Sequence, residues 1–537
     1  MRHALRLLAA SLAIALASCA PTTRGGSGNS GTTPGEFRWT GGQDIDSLNP
    51  ILTNEAVVTD LSEFTQGYFF NFGPNNRLVP SLSLVEPTRE NHLISADGRT
   101  VTYRLRHGVL WHDGVPFTSA DVAFSVKTIL DPRVNTSSTD GFIAISRVET
   151  PDPYTVVVHL KYPYAPFVTR FFTAGVGSGL LPKHLLAGKD INHAAYNGLP
   201  NGLGPYEYVR WRRGDEVVMR AFPKYWGGRP KMRRLTYRII PDANTALNEL
   251  RSHELDAFVR VPDEEYPVAA NIPGSRTINY DTTGFEHIAF NFRVPVLRDR
   301  RVREAIAHAL DRVTIREKVT HGTGYLTCSP IPHFEWAYDP HTPCYDFNLQ
   351  KAAALLDQAG WKVGPGGVRS KNGVPLQLTI VSTAGDPSRD QIALLLQSSL
   401  QKIGVELSYR RYPANELFAK RTGILDAGKF DLALFTWFWA PDPDISSNFT
   451  CSQAAPVGQN EGHYCNPQVD RLLDDALRHY DIPRRRADYF KVQALLARDL
   501  PVLVVYQRVD HLTANVGVKG LNPTPAAPFW NAFDISI

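Results

Sequence analysis

Residues 436–444 read Thr-Trp-Phe-Trp-Ala-Pro-Asp-Pro-Asp, which places two indoles and two carboxylates in one short stretch. Aromatic faces make apolar walls and stack on rings, while carboxylates hold cations. Trp437, Trp439, Asp442 and Asp444 are therefore candidates for gripping a solute rather than for breaking bonds. The competing reading buries Trp437 in a core and makes Asp442-Pro443-Asp444 a turn with a helix cap. Arg389 and Arg421 each offer a guanidinium fork for a carboxylate, or else a solvated surface side chain. His112-Asp113-Gly114 has the residue types of a catalytic or metal pair, but with no third partner it reads as a tight turn. There is no Gly-x-Ser-x-Gly elbow, no His-Glu-x-x-His and no Gly-x-x-x-x-Gly-Lys-Ser/Thr phosphate loop. No catalytic residue, cofactor or metal is expected. The alternative from another class is a secreted hydrolase with a triad scattered among 16 histidines.

Five cysteines occur, at 19, 328, 344, 451 and 465. The last four allow three pairings. Two of the possible partnerships are local in sequence and enclose Pro/Gly/Asn-rich segments, so Cys328–Cys344 and Cys451–Cys465 are the expected disulfides. Zinc is disfavoured because no Cys-x-x-Cys pair or helical His pair accompanies the thiols.

The N-terminus explains Cys19. Arg2, His3 and Arg6 precede an apolar run from Leu7 to Ala17 that is too short to span a bilayer but suits a signal peptide over residues 1–18. Leu16-Ala17-Ser18-Cys19 resembles the lipobox of bacterial lipoproteins, which implies a lipid on Cys19 and a body anchored to, not spanning, a membrane. The alternative is ordinary cleavage with Cys19 incidental. Residues 19–35 are rich in Gly, Ser, Thr and Pro and read as a flexible tether.

Positioning such a loop needs a substantial body. The chain has 537 residues, 43% of them hydrophobic, enough for three or four domains' worth of core and against bulk disorder. Without Arg2 and Arg6 of the leader, the charges nearly balance. Arg298-Asp299-Arg300-Arg301 and Arg484-Arg485-Arg486 read as solvated helix faces, and no nucleic-acid partner is expected. Alternation predicts strands at 101–106, 154–160 and 235–240. Helices are expected at 120–130 (capped by Thr118 or Ser119), 302–310, 351–359 and 389–403, the last two ended by Gly360 and Gly404. Strand 376–382, the third of the later helices and strand 405–409 form a strand–helix–strand unit, hence a parallel pair. Residues 430–436 read as a strand buried on both faces, so the loop that follows sits at a strand end.

Longer motifs add a resemblance. Residues 101–132 (VTYRLRHGVLWHDGVPFTSADVAFSVKTILDP), GLGPYEYVRW at 202–211, YWGG at 225–228, Phe290-Asn291 with DRRVREAIAHALD at 299–311, YDFNLQKAAALLDQAGW at 345–361 and Leu500-Pro501-Val502 with Tyr506 follow one another as in the family 5 extracellular solute-binding proteins. These are the periplasmic dipeptide and oligopeptide binders of ABC importers. The resemblance implies an α/β fold of periplasmic-binding-protein type, with two hinged α/β lobes and an extra subdomain in the first. Mapped here, lobe I takes residues 36–284 plus 507–537, with the subdomain at about 70–200, and lobe II takes 285–506.

It also implies a solute held between the lobes, delivery to membrane permease subunits, and a monomer on the outer side of the membrane. Within that frame Asn291 lies near the lobe crossing, where it contacts ligand or orders the hinge. Asp46–Asn49 and Tyr68, Phe69 and Phe70 lie on the first lobe's rim. Thr436–Asp444 resembles the family's ligand-facing loop, with one departure. Peptide-binding members place an aspartate three residues after the first tryptophan, where it meets the peptide amine, and here that residue is Ala440. Cys451 and Cys465 sit where some peptide binders have a disulfide. Peptide is the expected solute; an oligosaccharide, an opine-like compound, nickel or a metal chelate is the alternative.

Overall fold

The computed structural model describes residues 32–53, 55–175 and 178–537. The leader, Cys19 and most of the tether lie outside the described residues. Ten strands form one mixed sheet, in spatial order Glu406–Tyr412, Gln377–Thr383, Leu432–Phe438, Ser275–Phe290, Val502–Asn515, Ala257–Val259, Glu36–Thr40, Arg234–Arg238, Glu216–Ala221 and Tyr206–Arg212. The two longest strands, Ser275–Phe290 and Val502–Asn515, are antiparallel partners in the middle. Three strands on one side form the second half of the sheet, and five on the other form the first half.

The central pair is not regular. Asp281 faces Val509 and Phe285 faces Gln507, so Thr282, Thr283 and Gly284 stand opposite Arg508 alone. Such a bulge bends a strand and breaks its ladder. Side chains take over the lost pairing: the Thr282 hydroxyl donates to the Arg508 carbonyl at 3.3 Å, and the Gln507 amide donates to the Thr282 carbonyl at 3.3 Å.

In the second half, Gln377–Thr383, the helix Pro387–Gln401 and Glu406–Tyr412 make the expected parallel crossover. Asp386 caps the helix by accepting from the Arg389 N–H, and Gly404, at φ +78°, turns the chain where a Cβ would meet the Gly367 carbonyl at 2.8 Å. Separate apolar clusters cover the two faces of this half, so Leu432–Phe438, which lies between them, is apolar on both sides. In the first half, a small antiparallel sheet of Thr100–Arg104, Thr155–Leu160 and Ile145–Asp152 packs with the helix Ser119–Ile129 around its own aromatic core. The Asp121 carboxylate accepts from the Thr118 N–H at 3.0 Å, which fixes that helix's start.

His112 has a structural job. Its Nδ1 accepts from the Gly202 N–H at 3.1 Å and its Nε2–H donates to the Gly204 carbonyl at 3.0 Å. That bond pattern describes a neutral ring, and burial lowers its pKa accordingly. It pins a loop in which a Cβ at Gly202 would overlap the Thr65 carbonyl oxygen, so only glycine fits.

Cys328–Cys344 and Cys451–Cys465 are both disulfide-bonded, and both lie in the second half. By loop entropy each contributes about 3 kcal/mol. Replacing Cys451 and Cys465 together by alanine is expected to lower the denaturation free energy by that amount. Adding reductant to the variant should then produce a smaller further loss than in the parent. Equal losses on reduction of the two would mean that this bond contributes nothing.

Candidate functional site

The strand Leu432–Phe438 lies antiparallel to Gly284–Phe290, so its side chains alternate between the two faces. Trp437 points into the second-half core, 8% exposed, with its ring centroid 4.1 Å from His287 and edge-on to Phe435 and Phe449. Burial pushes the His287 imidazole down to about 3, so a neutral ring stacks on the indole. Phe438 faces the other way and is 62% exposed, its ring over Gly284, where a Cβ would approach it to 2.5 Å. Trp439 is again buried and donates its indole N–H to the Pro330 carbonyl at 2.6 Å.

The two loop carboxylates have separate partners. Asp442 is buried and takes both forks of Arg485, at 2.6 and 2.8 Å. Arg485 also donates to the Ala476 carbonyl and sits 4.8 Å from the Trp336 ring. The reading of Arg484-Arg485-Arg486 as a solvated face fails at its middle member, whose side chain is 2% exposed. Asp444 accepts from Ser446 N–H and Oγ–H and, from the other half, from the Tyr164 hydroxyl at 2.9 Å.

The remaining candidates are dispersed. Arg389 is held within the second half: its Nε donates to Glu286 at 2.8 Å, and other nitrogens donate to Thr383 at 2.6 Å and Thr436 at 2.9 Å. Burial pushes the Glu286 carboxyl up, but the Arg389 charge outweighs it and leaves the group below the usual range. Asn291 orders a strand end, accepting from Arg293 N–H and donating to the Phe430 carbonyl at 2.8 Å. Phe69 and Phe70 belong to the first-half aromatic core beside Tyr103, and Tyr68 is buried. Asn49 donates to Asn197 within the first half. Arg421 lies in an exposed loop at φ +70°, its N–H on Asp426.

Asp444 thus stands where the halves meet. A cavity of about 410 Å³ there is lined from the first half by residues including Asp140, Tyr162, Tyr164 and Arg170, and from the second by Asp444, Ser446, Asp474 and Arg478. Around it the halves are joined by the Ala165 N–H on the Leu477 carbonyl at 2.7 Å, and by the Tyr480 hydroxyl on the Gly98 and Tyr164 carbonyls. A second junction brings the Asn76 amide to Glu335 at 2.7 Å. Tyr164, Arg170 and Glu335 are not among the residues expected from sequence. The aromatic-proline stretch Tyr162-Pro163-Tyr164 just after the strand Thr155–Leu160 is the one local signal that could have drawn attention to the first two.

Burial pushes the Glu335 carboxyl up to about 8; the Asn76 bond opposes the rise and Asp442 adds to it. Such a group binds its proton more tightly folded than unfolded. Its stabilisation is therefore fully present below the ordinary value of 4.5 and is lost as pH rises through about 8. Glu335→Gln is expected to melt with the parent near pH 5 and a few degrees above it near pH 9. A difference independent of pH would show that Glu335 reaches water.

The bacterial extracellular solute-binding family 5 model matches residues 87–456. Protein XP55 of Streptomyces lividans is 31% identical over 447 residues, covering 81% of this chain and 77% of its own. The oligopeptide-binding protein AppA of Bacillus subtilis is 27% identical over 491 residues, covering 90% and 88%. The structure of NikZ from Campylobacter jejuni in complex with Ni(L-His) superposes with a TM-score of 0.81 at 27% identity, over 94% of this chain and all of that one. The fold is α/β, of the periplasmic-binding-protein type. With the matched stretch covering more than half of its length, the chain belongs to the bacterial extracellular solute-binding proteins of family 5.

Proposed function

We propose that this chain captures di- or oligopeptides between two lobes and delivers them to the permease of an ABC importer. The observation that carries the reading is the pair of long strands crossing the sheet with a bulge at Thr282–Gly284 opposite Arg508. It supports a hinge between residues 36–284 with 507–537 and residues 285–506, with the small antiparallel sheet in a subdomain at about 70–200. Contacts made by both lobes exist only when closed, so ligand shifts the open–closed balance. Cys19 would carry the lipid and residues 19–35 would let a monomeric body stand roughly 20 Å off the membrane.

A non-peptide solute is the second reading, and one arrangement favours it. Ala440 has no carboxylate, and the nearby Asp442 is taken by Arg485, so neither serves a peptide amine. Native mass spectrometry of the freshly purified protein tests both readings. A heterogeneous set of short peptides supports the first; a single non-peptide mass supports the second and sinks the first. Binding at one-to-one stoichiometry without turnover of a peptide and ester panel would set aside the hydrolase reading.

A further inference from the structure

We propose that the cavity between the Asp140–Arg170 region and the Asp444–Arg478 region is an amphoteric recognition pocket, taking a solute's carboxylate on Arg170 and its ammonium on Asp444 and Asp140. The assignment rests on the peptide reading above and names the chemical class of solute.

The charges of the lining differ in how well they are satisfied. Arg478 and Asp474 pair with one another at 2.7 Å and are spent locally. Arg170 is not spent. It makes one long contact, 3.3 Å to Asp140, while its Nε is buried and has no partner among the described residues. Asp140 is 75% exposed, so that contact is a weak surface ion pair. A guanidinium with one long bond and a buried, unpartnered Nε beside open volume presents the planar fork that a carboxylate fills with two parallel hydrogen bonds, although the charges of Asp444 and Asp140 already act on it.

A lone anion is nevertheless a poor guest, because Asp140 and Asp444 line the same space and would repel it. A solute that brings an ammonium with its carboxylate satisfies both signs. When the carboxylate takes Arg170 from Asp140, the ammonium compensates the acids. Asp444 is fixed for that role, since Ser446 and Tyr164 hold it from opposite halves of the molecule. Binding here therefore touches both halves at once, as closure requires. The volume, about 410 Å³, lies at the small end of the usual range of about 300–1,000 Å³ for small-molecule pockets. The pocket suits a whole dipeptide, not a long peptide.

Calorimetric titration of the full-length protein with Ala-Ala, N-acetyl-Ala-Ala, Ala-Ala-amide and the doubly blocked dipeptide tests this. Blocking either end should weaken binding about ten-fold or more, the size of one lost charged hydrogen-bond set. In Arg170→Gln the acid and the amide should bind alike. Asp444→Asn keeps the shape and the Ser446 bonds, so it serves if the buried arginine variant fails to fold; in it the preference for a free amine should shrink. Equal binding of all four forms to the parent, or an undiminished preference in either variant, overturns the pocket and leaves the peptide reading standing. If none of the four binds and a non-peptide mass co-purifies, the peptide reading falls and takes the pocket with it.

Discussion

Asp442→Ala should lower the free energy of unfolding by about 3–5 kcal/mol, because it strands the Arg485 guanidinium in the interior. That side chain is 2% exposed and has the Asp442 carboxylate as its one anionic partner among the described residues. The Ala476 carbonyl and the Trp336 ring remain after the substitution, but neither carries a charge. Removing both charges, as Asp442→Ala with Arg485→Met, should restore most of the loss, since a well-packed apolar pair often replaces a buried ion pair without penalty. Denaturant unfolding of the ligand-free protein measures this. A single-variant loss below about 1 kcal/mol would mean that Arg485 finds water. The same experiment bears on function: a solute contact at Asp442 would alter affinity and leave the free protein's stability almost unchanged.

Trp437→Ala should cost a similar amount, about 3–5 kcal/mol, through the cavity left by a large buried ring. His287, Phe435, Phe449 and Trp439 surround the indole and are themselves held in the core. Phe438→Ala is the internal control. Its ring is 62% exposed on the opposite face of the strand, so the change should stay within about 0.5 kcal/mol. Melting curves of the two ligand-free variants settle the comparison. If Trp437→Ala melted with the parent while losing ligand, the indole would be a wall of the binding site instead.

This pair shows what a sequence discloses. The strand around residue 435 was legible because Leu432–Phe438 is nearly all apolar, and the crossover Gln377–Tyr412 because each element carries its own period and cap. Those signals are local. Which face of an all-apolar strand meets the core is not local, so Trp437 read equally as a wall of a binding site or as core. Asp442 likewise looked available because its partner lies 43 residues away inside a run of three arginines. Arg389 resembled a surface side chain until the chain brought Glu286 to it from 103 residues away. Asp444 is the candidate that kept an open neighbour, and the residues facing it, Tyr164 and Arg170, come from a part of the chain that composition alone could not connect to it.

The placement of Val502–Asn515 has a consequence for how the molecule assembles. The strand Ala257–Val259 is hydrogen-bonded to residues 512–514, which belong to the strand made after all the others of the sheet. Until they arrive, that edge lacks its neighbour, and the five strands of the first half cannot join the rest of the sheet. The second-half strands and both disulfides need nothing beyond residue 507 in the pairing of Ser275–Phe290 with its neighbours at that end. Pairing of such sequence-distant strands is slow, since loop closure must precede the contacts that reward it. The two halves should therefore mature in the reverse of their order in the chain, with the earlier-made one waiting, edge unpaired, for residues 512–514.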